Sequence, residues 1–84
     1  MSTLRFMRTF VAVARHGSFT EAAEHVALTQ AAVSFQMKAL ENELGCALFA
    51  RSGRLAILSP AGREMLPKIE QMLQQYDALR ARRP

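Results

Sequence analysis

Residues 28–45, LTQAAVSFQMKALENELG, decide how the rest of the chain is read. On a helix turning roughly 100° per residue, Val33, Met37, Leu40 and Leu44 fall at i, i+4, i+7 and i+11, a narrow apolar stripe that predicts a core-facing side. The opposite side carries Ala31, Phe35, Lys38 and Asn42, with no acid and with an aromatic ring directed at solvent. A side that served only solubility would mix charges of both signs, so this composition suits a surface that something covers. Thr29 is placed to cap the helix through its hydroxyl, which leaves Gln30, Ala31, Ser34 and Phe35 in the first two turns, where a helix end enters a groove. Gln is a bidentate partner for adenine, Ser reaches a base edge or a phosphate, and Phe or Ala packs on a thymine methyl. The same residues also suit an ordinary polar first turn with one exposed Phe, since exposed apolar residues are common. Taken alone, the helix leaves both readings open.

Length and composition bound the rest. Eighty-four residues make one small domain, which buries only about 60 to 65% of its unfolded surface, so oligomerisation is expected to support it. Half the residues are apolar, as in a globular rather than a disordered chain. Eleven Lys and Arg against seven acids give a net charge of +4, a modest lean toward polyanions. The single cysteine, Cys46, cannot form an intrachain disulfide and is expected as a buried structural thiol in a reducing compartment. Arg5 and Arg8 interrupt the apolar N-terminal pattern, which excludes a signal-peptide core there. No apolar run approaches the roughly 20 residues of a membrane span. The expected location is the cytoplasm.

In chain order, residues 4–16 are apolar around most of the helical circumference and must be contacted from more than one side. Gly17 ends that helix, with His16 in its last turn. Ser18 and Glu21 form an S-x-x-E capping box. Phe19, Ala22, Ala23 and Val26 then continue a short amphipathic helix whose two alanines allow another helix to cross closely, as a helix-turn-helix pair requires. His25 has no acid or Cys cluster beside it, so no metal site is expected.

Gly45 stops the central helix. Residues 48–51 and 55–58 read as a small hairpin around Ser52, Gly53 and Arg54. Two strands alone are barely stable, so the hairpin is expected to lean on the helices through Leu48, Phe49, Ile57 or Leu58. Arg51 and Arg54 at its tip suit a DNA backbone or minor groove, and equally a solvated turn. Ser59 as N-cap and Pro60 at the first helical position start the last helix. There Met65, Ile69, Met72, Tyr76 and Leu79 repeat with spacings 4, 3, 4 and 3, widened by Leu66 and Leu73. Three helices and a hairpin cannot cover this stripe, so all seven are expected at an interface with the same helix of a second chain. Pro67 removes one hydrogen bond from that helix.

Helix, capped helix, polar-faced helix, hairpin and long amphipathic helix make the plan of a mainly α winged helix-turn-helix with a dimerising arm. The chain resembles the N-terminal DNA-binding domain of LysR-type bacterial transcription regulators over residues 4–62. The resemblance rests on Phe10, GSFTEAA at 17–23, LTQAAVSFQMKALENELG at 28–45, LFAR at 48–51 and LSPAG at 58–62, in order and at the right spacing. It implies a domain split into a winged head, 1–59, and a linker helix, 60–84. It also implies a recognition helix over 29–44 in the major groove, a wing over 51–54 toward the minor groove, and a dimer that reads an interrupted inverted repeat. Matched residue by residue, Gln30, Ala31, Ser34 and Phe35 face bases, Arg54 takes the minor-groove position, and Ser18, Thr29, Gln36, Lys38 and Arg51 are candidates for phosphate contacts. Two departures stand out: position 31 is often Pro in the family and is Ala here, and position 35 is often Arg and is Phe here. The second removes a guanine contact, so specificity cannot be copied from relatives. The family's effector-binding domain follows the linker helix and falls outside these residues, so neither a small-molecule site nor a cofactor is expected within them. A longer protein could assemble into tetramers.

The function expected from these features is sequence-specific binding of double-stranded DNA by a homodimer. The rival is a protein-interaction module that uses the Phe35 face and the arm. An enzyme is the remotest choice, because no acid pair, Cys–His pair or glycine-rich phosphate loop is arranged for chemistry.

Overall fold

Phe10 and Val13 are completely buried, and the helix that carries them, α1 (Ser2–His16), is packed on all three other helices. The computed structural model describes residues 2–50 and 54–82. After α1 come α2 (Phe19–His25), α3 (Gln30–Leu44), β1 (Phe49–Ala50), β2 (Ile57–Leu58) and α4 (Pro60–Ala81). The expected N-cap hydroxyls start the three later helices: Ser18 Oγ accepts from Glu21 N at 3.2 Å, the Ser18 half of the expected capping box, Thr29 Oγ1 from Ala32 N at 3.0 Å, and Ser59 Oγ from Gly62 N at 2.9 Å. Each such bond satisfies one of the free N–H groups of a first turn. Gly17 and Gly45 end α1 and α3 with φ of +70° and +76°, a left-handed backbone that costs glycine nothing.

The core is shared by all the elements. Met7, Phe10 and Val13 of α1 meet Ala22 and Ala23 of α2, and Val33, Met37 and Leu40 of α3. Leu48 and Ala56, at the base of the hairpin, complete it from one side, and Ile69 and Leu73 of α4 from the other. Thr9 is buried within α1 and satisfies its hydroxyl by donating to Arg5 O at 3.2 Å.

The hairpin is antiparallel, with Phe49 opposite Leu58 and Ala50 opposite Ile57. It leans on the helices as expected through Leu48 and Phe49, whose ring lies 5.6 Å from that of Phe10 and 5.2 Å from that of Phe19. Ile57 points outward instead. A bridge between Ser18 and Leu55, with Ala56 N donating to Gly17 O at 3.0 Å, ties the second arm of the hairpin to the corner between α1 and α2. Leu48 is held from both sides: its N–H donates to Glu41 Oε2 at 2.8 Å, and its carbonyl accepts from Ser59 N at 2.9 Å. Ser59 Oγ donates to Ala47 O at 2.6 Å. Gly62 lies so close beneath that a Cβ there would run into the Leu48 carbonyl oxygen.

α4 runs unbroken through Pro67 and lies antiparallel to α1. Arg8 forks onto Asp77 at 2.6 and 3.3 Å, and Arg15 reaches Glu70 at 3.3 Å. Ile69 and Leu73 are 3% and 7% exposed within this contact. They belong to the chain's own core, not to an interface as expected, because α1 covers that half of the stripe. Met65 and Leu66 are partly buried against the same core. Residues 74–82 are all exposed, and the molecule measures 47 × 26 × 20 Å along its principal axes, the long dimension of a body with a projecting arm. Cys46 is half-buried rather than enclosed. Among the described residues no helix is long and apolar enough to cross a membrane.

Candidate nucleic-acid interface

The turn between α2 and α3 is built like a helix stop with the wrong residue in it. Leu28 N donates to Ala23 O at 2.9 Å and Ala27 N to Glu24 O at 3.3 Å, the two crossed bonds of a Schellman motif. Its left-handed position, usually glycine, is Ala27 with φ of +60°. The chain then turns through Leu28 into the Thr29 cap. Ala22 and Ala23 are buried beneath, and their small side chains let α3 cross α2 closely.

This geometry presents Gln30, Ala31, Ser34, Phe35 and Lys38 to solvent, while Val33, Met37 and Leu40 face inward. The first turn of α3 contains no acid. The two acids of its last turns are engaged elsewhere: Glu41 with the Leu48 N–H, and Glu43 with the Thr3 hydroxyl at 3.0 and 3.2 Å. The exposed face of the helix therefore combines the positive end of the macrodipole, exposed polar side chains and, in its middle turn, the cation Lys38, an arrangement that attracts an anion.

Thr20, which sequence reasoning missed, donates its hydroxyl to Gln30 Oε1 at 3.3 Å and steadies that amide. No local sequence signal marks it, since the bond depends on how the starts of α2 and α3 converge in space. Gln36, expected at the DNA backbone, is 8% exposed and buried among the core residues of α3, so it cannot reach a phosphate. Its Oε1 is enclosed without a hydrogen-bond partner among the described residues. Ser18 is half-buried as the α2 cap, and Thr29 and Arg54 are exposed. Arg51 lies outside the described residues, as do positions 52 and 53 of the wing. The His25 ring sits 4.8 Å from that of His16, and among the described residues no three His, Cys, Asp or Glu gather as a metal site would require.

On the arm, Met72, Tyr76 and Leu79 stay exposed and join Leu4, Gln71 and Gln75 in lining an open apolar groove. Arg8 and Arg80 both lie 5.9 Å from the centre of the Tyr76 ring. The hydrogen bond from Arg8 lowers the pKa of Asp77 from its ordinary value, and the same bond raises that of Arg8.

Residues 4–63 match the family described as bacterial regulatory helix-turn-helix protein, lysR family. The chain is 48% identical over 75 residues to an uncharacterized HTH-type transcriptional regulator, YxjO of Bacillus subtilis, covering 89% of this chain and 26% of that one. Among solved structures it is similar to a CbnR DBD–DNA complex (TM-score 0.85, 33% identity, 89% of this chain and 86% of the other). It is equally similar to a BenM DBD/benA site 1 DNA complex (TM-score 0.85, 36% identity, 90% and 85%). The chain spans about a fifth to a quarter of the length of most of the curated relatives it matches, and about half of one from Azotobacter vinelandii. The relatives are transcription regulators rather than enzymes, and the winged helix-turn-helix plan inferred from the sequence is their fold. The chain belongs to the lysR family of bacterial regulatory helix-turn-helix proteins.

Proposed function

We propose that this chain is the operator-reading part of a cytoplasmic transcription regulator, binding an interrupted inverted repeat in double-stranded DNA as a homodimer. The observation that carries the reading is the acid-free, exposed start of α3, held by the Thr29 cap. In the proposed complex Gln30, Ala31, Ser34 and Phe35 face base edges. Ser18, Thr29 and Lys38 hold phosphates, and the wing, with Arg51 and Arg54, approaches the minor groove. Residues 1–59 form the reading head and 60–84 the arm. Two arms pair through Met72, Tyr76 and Leu79 with Leu4, the apolar positions left exposed on and beside α4. A longer protein could carry its effector site and any tetramer contacts beyond these residues. The head itself binds and performs no chemistry.

Selection of binding sequences from a random DNA pool, repeated at two salt concentrations, tests this. The expected result is an enriched interrupted palindrome whose affinity falls steeply with salt, as release of condensed counterions requires. Gln30→Ala should cost roughly 1–3 kcal/mol on that operator and relax one base step, whereas Lys38→Ala should weaken all sequences alike and flatten the salt dependence. Binding without enrichment would remove sequence reading, and absence of binding would favour a protein partner.

A further inference from the structure

We infer that Phe35, with Ala31 one turn before it, selects a pyrimidine 5-methyl group in the major groove. The operator half-site then contains a thymine that uracil replaces only with a loss of affinity and that 5-methylcytosine replaces in part. The inference rests on the operator-reading proposal and adds the chemistry that the helix recognises.

The Phe35 side chain stands in the second turn of α3 with 68% of its surface exposed. Among the described residues the paired rings are Phe10 with Phe49, Phe19 with Phe49, and His16 with His25, and the cation–π contacts fall on Tyr76. Phe35 takes part in none of them. Residues four apart share one face of a helix, so the exposed Ala31 and Phe35 form a small apolar pair between Gln30, Ser34 and Lys38. That pair is too small and too closely bordered by polar groups to be an apolar docking patch for a protein, which typically covers several hundred Å². Phe carries no donor or acceptor and cannot answer the hydrogen-bonding edge of guanine, adenine or cytosine. The one apolar group that a base pair offers in the major groove is the C5-methyl of thymine. Selection also works by exclusion: a base edge buried against the ring without a partner loses its water, which disfavours guanine or cytosine at that step.

Removing one buried methyl weakens an apolar contact about fourfold, so a symmetric dimer should lose about 15-fold when both half-sites are changed. The test replaces each thymine of the selected operator by deoxyuridine, one position at a time, and measures binding by fluorescence anisotropy. At the responsive position, cytosine and 5-methylcytosine are then compared. The wild-type chain should show one thymine per half-site with the fourfold loss, and should prefer 5-methylcytosine to cytosine by a similar factor. Phe35→Ala, confirmed as folded by circular dichroism, should bind the thymine operator more weakly and no longer distinguish thymine from uracil. Selective binding without any uracil effect would overturn the inference while leaving operator reading intact. A Phe35→Ala variant that keeps the full thymine preference would overturn it by placing the methyl against another residue. Failure to select any sequence would overturn the operator reading and this inference with it.

Discussion

Replacing Gly62 with Ala sets two effects of opposite sign against each other. Gly62 lies in the first turn of α4, where helix propensity alone favours Ala by about 0.8–1.0 kcal/mol. An added Cβ, however, would run into the Leu48 carbonyl oxygen, and it would stand 3.0 Å from the carbonyl carbon and 3.1 Å from Leu58 Cδ2. Leu48 has nowhere to go, because its N–H is tied to Glu41, its carbonyl to Ser59 N, and its side chain is completely buried. Relief requires lifting the hairpin off α4. Overpacking of this kind costs about 1–3 kcal/mol, and losing the Ser59–Leu48 hydrogen bond adds about 1 kcal/mol. Net of propensity, Gly62→Ala should destabilise by about 1–3 kcal/mol, a large share of what a domain of this size possesses. At roughly 4–8 °C per kcal/mol, the melting temperature followed by far-UV circular dichroism should fall by about 5–20 °C. An unchanged or raised melting temperature would refute the close approach, because propensity alone gives that sign.

The buried and exposed halves of α4 separate in a second experiment. Ile69→Glu, which places an unpaired charge in the core, should abolish folding, whereas a Met72→Glu/Leu79→Glu double variant should stay helical and run as a monomer in light scattering. A folded Ile69→Glu chain would contradict the packing on α1, and an unchanged dimer of the double variant would move the interface elsewhere. Ala27→Gly should stabilise by up to about 1 kcal/mol, since a left-handed Ala costs about 1–2 kcal/mol and the added backbone freedom of Gly returns part of that; a lower melting temperature would show that the strain is absent. Gln36→Met removes a buried acceptor without a partner, a group that costs about 1–3 kcal/mol, so urea denaturation should show equal or greater stability. The salt dependence of DNA binding should be unchanged in that variant, and a shallower slope would return Gln36 to the phosphate backbone.

The ends of the helices were legible because their chemistry is local. Ser18, Thr29, Ser59 with Pro60, and Gly45 each act within four residues, and each cap forms where the sequence puts it. The stripe of Val33, Met37 and Leu40 was legible for the same reason. Gln36 was expected at the DNA backbone from its matched position in the family resemblance, although at roughly 100° per residue it lies only about 70° from the centre of that stripe. The seam on α4 was legible as apolar but not as to its partner. A spacing of 4, 3, 4, 3 is the same whether α1 or a second chain covers it, and what covers it is settled by packing between residues far apart in sequence, as the flanking pairs Arg8 with Asp77 and Arg15 with Glu70, 69 and 55 residues apart, mark. The Thr20–Gln30 bond escaped notice for the same reason, because it depends on how two helix starts converge in space.

The double strapping of α4 to α1 has a consequence for the spacing of the DNA sites. With Ile69 and Leu73 buried and two arginines bridging to Asp77 and Glu70, the arm has no joint at its root, and each head is fixed to it at one angle. In the proposed dimer the two heads therefore act as the jaws of a caliper closed to a single gap. DNA is a screw of about 10–10.5 base pairs per 34–36 Å turn, so inserting one base pair between half-sites advances the second by about 3.4 Å and swings it by about 35° around the axis. A caliper without a joint cannot follow that swing. The spacer between half-sites would then be free in sequence and fixed in length, and the rotational phase of the two sites would be set by the packing of one helix on another.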